Sequence, residues 1–448
     1  MLFFIIFISV LLIIFMTAFL KIHPFLSLLA SAFFVGIASG MPLSEVVTHV
    51  NEGFGGLMTG IGIVIVAGTI IGVILEKSGA AYRMAEVILR VIGDKRPQLA
   101  MSLIGYVISI PVFCDSGFVI LTSLKKALAK RAHVPIASMS VALATGLYAT
   151  HTLVPPTPGP IAAAGNIGAE RYLGTIILIG LVVAIFPAAA GYLWAVKVGT
   201  QIEVPEDTDT EGLDYEEIVS SFGEMPSAFK AFLPILLPIA LIGLASVINF
   251  MGSENAFADV IRFLGQPTTA LILGIFAAFP LLPSFDEKTL TGWIGEGIKE
   301  AAPILVITGA GGAFGRVISN AGVAEAIGEM NFGALAGGAL FLLVPFLIGA
   351  AIKTAQGSST ASLVITSSLV APLLPTLGIE GAVPLALVVM ALGAGAMTVS
   401  HVNDSFFWVV TEFSGLKVTD AYKAQTMATL IQGLVTITVT MILWLILV

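Results

Sequence analysis

Apolar runs long enough to cross a lipid bilayer recur from one end of this chain to the other, and they fix the fold class before any motif is considered. A spanning helix needs about 18 to 20 predominantly apolar residues, and several windows reach that length. Of 448 residues, 57% are hydrophobic and 11% charged, with mean hydropathy +1.03. A soluble globular chain carries roughly 25% charged residues. The pattern is that of an all-α polytopic membrane protein. Residues 1–20 lack a basic start and a small-residue cleavage site, so they read as a retained first span rather than a signal peptide. The single cysteine, Cys114, excludes an internal disulfide framework. The net charge of −8 says little, because much of it comes from one loop.

Complete spans are expected near 2–20, 24–40, 55–75, 136–154, 174–196, 231–250, 268–283, 301–319, 382–400 and 424–447. Two further apolar regions, 98–130 and 334–373, are interrupted midway. Pro111-Val-Phe-Cys-Asp115-Ser-Gly117 breaks the first, and Lys353-Thr-Ala-Gln-Gly357-Ser-Ser-Thr360 breaks the second. Such interruptions suit re-entrant hairpins, whose polar tips need partners inside protein or a watery cavity. Two ordinary spans apiece is the alternative. The hydrophilic, acidic stretch 198–229 reads as a linker between a first unit, 1–197, and a second, 230–448.

The two units resemble each other. Gly68-x-x-x-Gly72 followed by Ser78-Gly79-x-Ala81 recurs 243 residues later as Gly311-x-x-x-Gly315 followed by Ala321-Gly322-x-Ala324. The same offset sets Asp115-Ser116 opposite Ser358-Ser359. Gly-x-x-x-Gly alone indicates only close helix packing; its recurrence in order beside a hairpin indicates an internal repeat. Five spans plus a hairpin make an odd number of crossings, so the second repeat is expected to be inverted. With residues 21–23 cytoplasmic, all twenty Lys and Arg except Arg171, Arg262, Arg316 and Lys353 fall on that side, a strong positive-inside bias. Both termini then face outward and the linker is cytoplasmic.

Each unit also ends an apolar run on a histidine and helix-unfriendly chemistry: Thr150-His-Thr-Leu-Val-Pro-Pro-Thr-Pro-Gly-Pro160 and Ser400-His-Val-Asn-Asp404. Four prolines that lack a donor and fix φ cannot continue a helix. Broken helices at corresponding positions of two halves point to a transported substrate. Ionisable residues at membrane depth default to function; here they are Asp115, His151, Lys353, His401 and Asp404, with Arg316 and Glu412 less firmly placed. Each could instead be a satisfied structural group, and either histidine could cap the helix it ends. Hydroxyls and the free N–H groups of half-helix N-termini form an anion cradle. The expected substrate-binding set is Ser116, Thr150, His151, Lys353, Ser358, Ser359, Thr360, His401 and Asn403, with Lys353 adding positive charge. This chemistry suits a small hydroxylated carboxylate better than a bare inorganic ion. The hairpin tips 113–117 and 354–360 are expected to meet near the bilayer centre beside the breaks at 151–158 and 400–405.

Enzyme signatures are missing: no His-Glu-x-x-His, paired-Cys motif or Gly-x-Ser-x-Gly, and no Gly-Lys-Ser/Thr after Gly311-Gly312. No nucleotide-binding domain, cofactor or metal site is expected, and the acidic balance argues against nucleic acid. A passive channel or a cation antiporter using Asp115 and Asp404 remains an alternative class. Discrete hairpins with buried charges favour a site that closes on both sides, and an antiporter leaves the hydroxyl cluster unexplained.

Phe113-Cys-Asp-Ser-Gly-Phe118, the Thr150–Pro160 stretch, Ala355-Gln-Gly-Ser-Ser-Thr360 and Ser400–Asp404 resemble signature stretches of the gluconate permease family, nearly end to end. The resemblance implies uptake of gluconate and related sugar acids across the bacterial inner membrane with proton symport. It also implies a homodimeric scaffold with elevator-type motion. The sequence departs from gluconate-transporting members at Asp115, where they tend to have Glu, and at Lys353-Thr-Ala-Gln, where they have Arg with an apolar run. Relatives with such differences carry other hydroxy acids, including D-serine, so gluconate, D-serine and glycerate stay open, as does proton or sodium coupling. Asp115 and Asp404 are the expected proton carriers. Burial favours a protonated carboxyl, whereas Lys353 would oppose it wherever it lies close, and this ranks Asp404 slightly ahead of Asp115.

Overall fold

The computed structural model of the chain describes residues 2–93, 95–202, 204, 224–251, 255–322 and 338–448. Most of the acidic linker, 205–223, the hairpin residues 334–337 and Ala324 of the repeated motif lie outside the described residues.

The described residues form helices and no strand. In chain order they are α1 (Leu2–Ile14, extended by a π-turn to Phe19), α2 (Pro24–Ala38), α3 (Leu43–Lys77), α4 (Ala80–Ile92), α5 (Pro97–Ile108), α6 (Cys114–Ile120), α7 (Thr122–Ala132), α8 (Ile136–Leu153), α9 (Pro158–Asn166) and α10 (Leu173–Lys197). There follow α11 (Ala228–Met251), α12 (Ala256–Leu264), α13 (Pro267–Ala278), α14 (Glu287–Asn320), α15 (Leu343–Gln356), α16 (Ser359–Val370), α17 (Ala382–Met397), α18 (Ser405–Glu412) and α19 (Met427–Leu447).

The expectation of ten complete spans is corrected. Among the described residues six helices are long and apolar enough to cross a membrane, or seven when the pair α12–α13, bent by 67°, counts as one. Several inner helices are too short because the chain breaks them. The 15 residues of α2 extend only about 22 Å at 1.5 Å per residue, and α17 stops at Met397, before the Ser-His element. Two others are longer than their apolar cores. The third span starts at Leu43 rather than 55 and the eighth at Glu287 rather than 301, giving helices of 35 and 34 residues. The first extension begins after Pro42, and the second at a cap, where Asp286 accepts a bond from Thr289 N at 2.7 Å to start α14.

These long helices carry the repeated motif and lie side by side. Gly53 abuts Gly312 and Ala313, while Gly297 abuts Ile70, so α3 and α14 run antiparallel. The contact of residue 53 with 313 and that of 297 with 70 nearly exchange under the 243-residue offset. Both helices end on a glycine with positive φ, Gly79 at 73° and Gly322 at 88°, as helix C-termini prefer. The helices preceding them, α2 and α13, both begin on proline, Pro24 and Pro267.

The glycine motif is a contact device. A Cβ on Gly72 would stand 2.6 Å from the Pro111 carbonyl oxygen in the first break, and one on Gly68 would stand 2.9 Å from that of Pro156. On α14, Gly311 and Gly315 meet Ser368 of α16. The long helices thus touch the interrupted elements through bare backbone. Gly72→Val should therefore lower stability by about 1–3 kcal/mol through overpacking. The thermal unfolding midpoint of detergent-purified protein measures this, and Gly55→Val, where a Cβ meets nothing within 4 Å, is the control expected to leave it unchanged.

Large apolar side chains left exposed, among them Phe4, Phe19, Leu193 and Leu445, lie on outer helices, as lipid-facing positions require.

Candidate functional site

Four interruptions of regular helix converge. The α5–α6 break, the α8–α9 break, the α15–α16 turn and the α17–α18 break all meet at one polar focus. Each brings the N-terminus of a short helix, whose unpaired N–H groups favour anions.

The second hairpin turns at Gly357, whose φ of 93° suits glycine. It also leaves no room for a side chain, since a Cβ would fall 2.0 Å from the Asn403 carbonyl oxygen. This contact locks the α15–α16 turn onto the α17–α18 break. Ser358 caps α16 by accepting from Ala361 N at 3.2 Å. Asp404 caps α18 by accepting from Phe406 N at 3.2 Å. The broken backbone at 398–404 is satisfied by α19 and the turn before it: Ser400 N donates to Thr429 Oγ1 at 2.9 Å, and Thr426 Oγ1 donates to the Ser400 carbonyl at 2.6 Å. Val399 sits at φ 60°, a strained conformation for a β-branched residue.

An ion pair occupies the centre. Lys353 Nζ lies 2.7 Å from Asp404 Oδ2, with the side chains 0% and 5% exposed. Lys353 also donates to the Gly357 carbonyl, and Ser400 donates to Asp404 Oδ2. The lysine charge expected to attract substrate is thus already matched by a carboxylate. Asp115 has gentler partners, accepting from Ser405 Oγ at 3.2 Å and Cys114 Sγ at 3.5 Å. The ammonium thus lies on Asp404 rather than on Asp115.

The other expected residues are distributed unevenly. His401 Nε2 and Asn403 Nδ2 both bond the Thr354 carbonyl, at 2.9 and 2.7 Å. Ser359 is buried facing the Tyr148 hydroxyl. Thr360 packs beside Gly159 at the start of α9. His151 is buried with its ring stacked on Tyr148 and against Phe113, at centroid distances of 6.5 and 5.9 Å. Thr150 points away, donating to the Tyr106 carbonyl at 2.9 Å, and Ser116 lies beside the Glu76 carboxylate at the end of α3. Arg316 and Glu412 stand outside the focus.

Three participants escape sequence reasoning. Tyr148 lies beneath Lys353 Nζ, 5.8 Å from its ring centroid, and stacks on Phe406; its spacing of three from His151 on α8 was the only signal. Glu76 reads as a helix-end charge. Lys125 counts in the sequence only as one of the basic residues on the cytoplasmic side, and its burial was not legible: it is fully buried, donating to the Phe413 carbonyl and Ser414 Oγ, both at 3.1 Å, and lying over the Phe118 ring. Its amine closes the C-terminus of α18, where cations are favoured.

Four buried polar atoms in this cluster lack hydrogen-bond partners among the described residues: Tyr148 Oη, His151 Nδ1, Gln356 Nε2 and Asn403 Oδ1. Buried polar groups are ordinarily paired with protein, ordered water or a ligand. Together with the helix N-termini they supply donors and acceptors for a small polyhydroxylated anion. Among the described residues no group of three His, Cys, Asp or Glu is arranged to hold a metal.

A helical protein that gathers hairpin tips and helix breaks around a buried ion pair, inside apolar helices, is a multi-pass membrane permease rather than an enzyme. The chain matches the GntP family permease model over residues 1–446, and it belongs to that family. It is similar to the gluconate permease of Pseudomonas aeruginosa, 32% identical over 415 residues covering 91% of this chain and 89% of that protein. It is also similar to the low-affinity gluconate transporter of Escherichia coli, 31% identical over 436 residues covering 95% and 94%. An uncharacterized permease of Haemophilus influenzae is 34% identical over 431 residues, covering 91% and 85%. Two solved structures share the fold. MtrF of Neisseria gonorrhoeae, of a class of antimetabolite efflux pumps, has a TM-score of 0.68 at 16% identity, covering 97% of each chain. The YdaH transporter of Alcanivorax borkumensis has a TM-score of 0.65 at 15% identity, covering 94% of this chain and 98% of its own.

Proposed function

We propose that this chain imports gluconate or a closely related small hydroxylated carboxylate by proton symport. The observation that carries the substrate class is the meeting of helix N-termini, hydroxyls and unmatched polar atoms at the four interruptions. The gluconate permeases among its relatives support the sugar-acid reading. Proton coupling rests on electrostatics. Moving a bare anion into a negative interior opposes the field by about 2.3 kcal/mol per charge per 100 mV, and one co-entering proton cancels that cost. Asp115, half-buried and without a cation on it, is the carrier we favour.

The architecture we propose is two inverted repeats, 1–197 and 230–448, with both termini outside and the acidic linker cytoplasmic. The antiparallel α3–α14 pair and its exchangeable contacts support inversion, because an antiparallel pair of equivalent spans places the two repeats upside down relative to each other. We further propose that the hairpin-bearing elements move as an elevator against α3 and α14 within a homodimer.

Uptake of labelled gluconate into proteoliposomes under an inward proton gradient tests the function, with a sodium gradient and a panel of hydroxy acids in parallel. Accumulation that follows sodium and ignores protons sinks the coupling. Ser359→Ala should raise the apparent KM about tenfold, the loss of one hydrogen bond to a charged ligand at roughly 1.5–3 kcal/mol. Unchanged kinetics in that variant would argue against the α16 N-terminus as a binding element.

A further inference from the structure

A cavity of about 720 Å³ lies away from the ion pair, between the long helices α3 and α14 and the far end of α16. Its size falls within the usual range for small-ligand sites. Ser359 of the central site and Ser368 of this cavity sit on the same helix, nine residues or about 13 Å apart along its axis. Five glycines line it, Gly53 and Gly56 on α3 and Gly311, Gly312 and Gly315 on α14; Gly56 faces open space, and the others sit where helices meet closely. Asn166, Ser319, Ser368 and Thr376 add polar groups to its walls.

One cation faces this space. Arg316 is the single Lys or Arg of the cavity lining, in a chain of net charge −8. Its Nη2 lies 3.1 Å from Glu52 Oε2, and the two side chains are 52% and 50% exposed. An exposed pair of this kind contributes little stability and is screened by salt. A guanidinium matches any carboxylate by the same two-pronged geometry. An incoming carboxylate therefore exchanges for Glu52 at small net cost.

We propose that this cavity is a vestibule that receives the anionic substrate before it reaches the central site. Arg316 binds the substrate carboxylate, Glu52 is the internal carboxylate it displaces, and the wall hydroxyls face its hydroxyl groups. This rests on the transport reading above and adds a waiting position on the outward side of the proposed orientation. Arg316, outside the cytoplasmic basic set, is then placed by function rather than by topology.

The test is gluconate uptake in proteoliposomes at several ionic strengths. Arg316→Gln should raise the KM at least fivefold with kcat within twofold, and should flatten the rise of KM with salt. Arg316→Lys should recover part of the loss. Glu52→Gln should lower the KM, the opposite sign, whereas a merely structural pair predicts the same direction for both variants. Gly56→Leu puts bulk into the cavity from a position where a Cβ meets nothing within 4 Å, and it should raise the KM while keeping the wild-type unfolding midpoint. Unchanged KM and salt dependence in Arg316→Gln and Gly56→Leu overturn the vestibule and leave the transport reading intact. Failure of the wild type to take up gluconate or any hydroxy acid in the panel overturns both.

Discussion

Lys353→Met is expected to abolish uptake and to lower stability by about 3–5 kcal/mol, the usual cost of leaving one member of a buried ion pair without its partner. The ammonium is fully buried and touches both the Asp404 carboxylate and the Gly357 carbonyl. It therefore joins the turn of one hairpin to the helix break of the neighbouring segment. Methionine fills much of the same volume, so packing changes little and the loss reports charge. The double variant Lys353→Met, Asp404→Asn removes both charges and should regain most of the unfolding midpoint without regaining transport. Melting of the single variant at the wild-type temperature, with uptake intact, would show that the pair is peripheral to the carrier.

Asp115→Asn is expected to eliminate gradient-driven accumulation while preserving substrate exchange. Asparagine keeps an oxygen for Ser405, which donates to the native carboxylate at 3.2 Å, so the tip geometry survives and only the titratable proton is lost. With one proton per substrate, each pH unit of inward gradient supports about tenfold accumulation, equal to about 1.4 kcal/mol, and that driving force should vanish. Asp404→Asn should behave differently. It strands Lys353 and should impair folding and transport together rather than uncouple them. Proton-driven accumulation that persists in Asp115→Asn would return the role to Asp404 or a histidine.

Much of this was written in the sequence. Breaks at Pro111, at Pro155 to Pro160, at Gly357 and at Ser400 to Asp404 follow from donors that proline lacks and from hydrophilic residues at membrane depth. Helix ends were harder. Residues 43–54 look polar enough for a loop, yet one face packs on α14 through Gly53, and tertiary contact extends the helix. Partnerships across long separations were not legible. Lys353 and Asp404 were each recognisable as intramembrane charges, but nothing local says that they neutralise each other. The glycine repeat was visible as a packing motif, whereas its partners, the carbonyls of Pro111 and Pro156, lie tens of residues downstream. Tyr148 hides among apolar neighbours because its ring contributes stacking and its hydroxyl lies inside.

The first hairpin tip carries Cys114, the only cysteine of the chain, free and nearly inaccessible beside Asp115. Nature has thus installed a solitary chemical handle at the place whose exposure matters most. A thiol-reactive dye needs no background of other cysteines removed before use. Its labelling rate reads, in the native chain, how often that tip is uncovered, and comparing rates with and without a hydroxy acid turns the sulphur into a clock for the carrier's own motion.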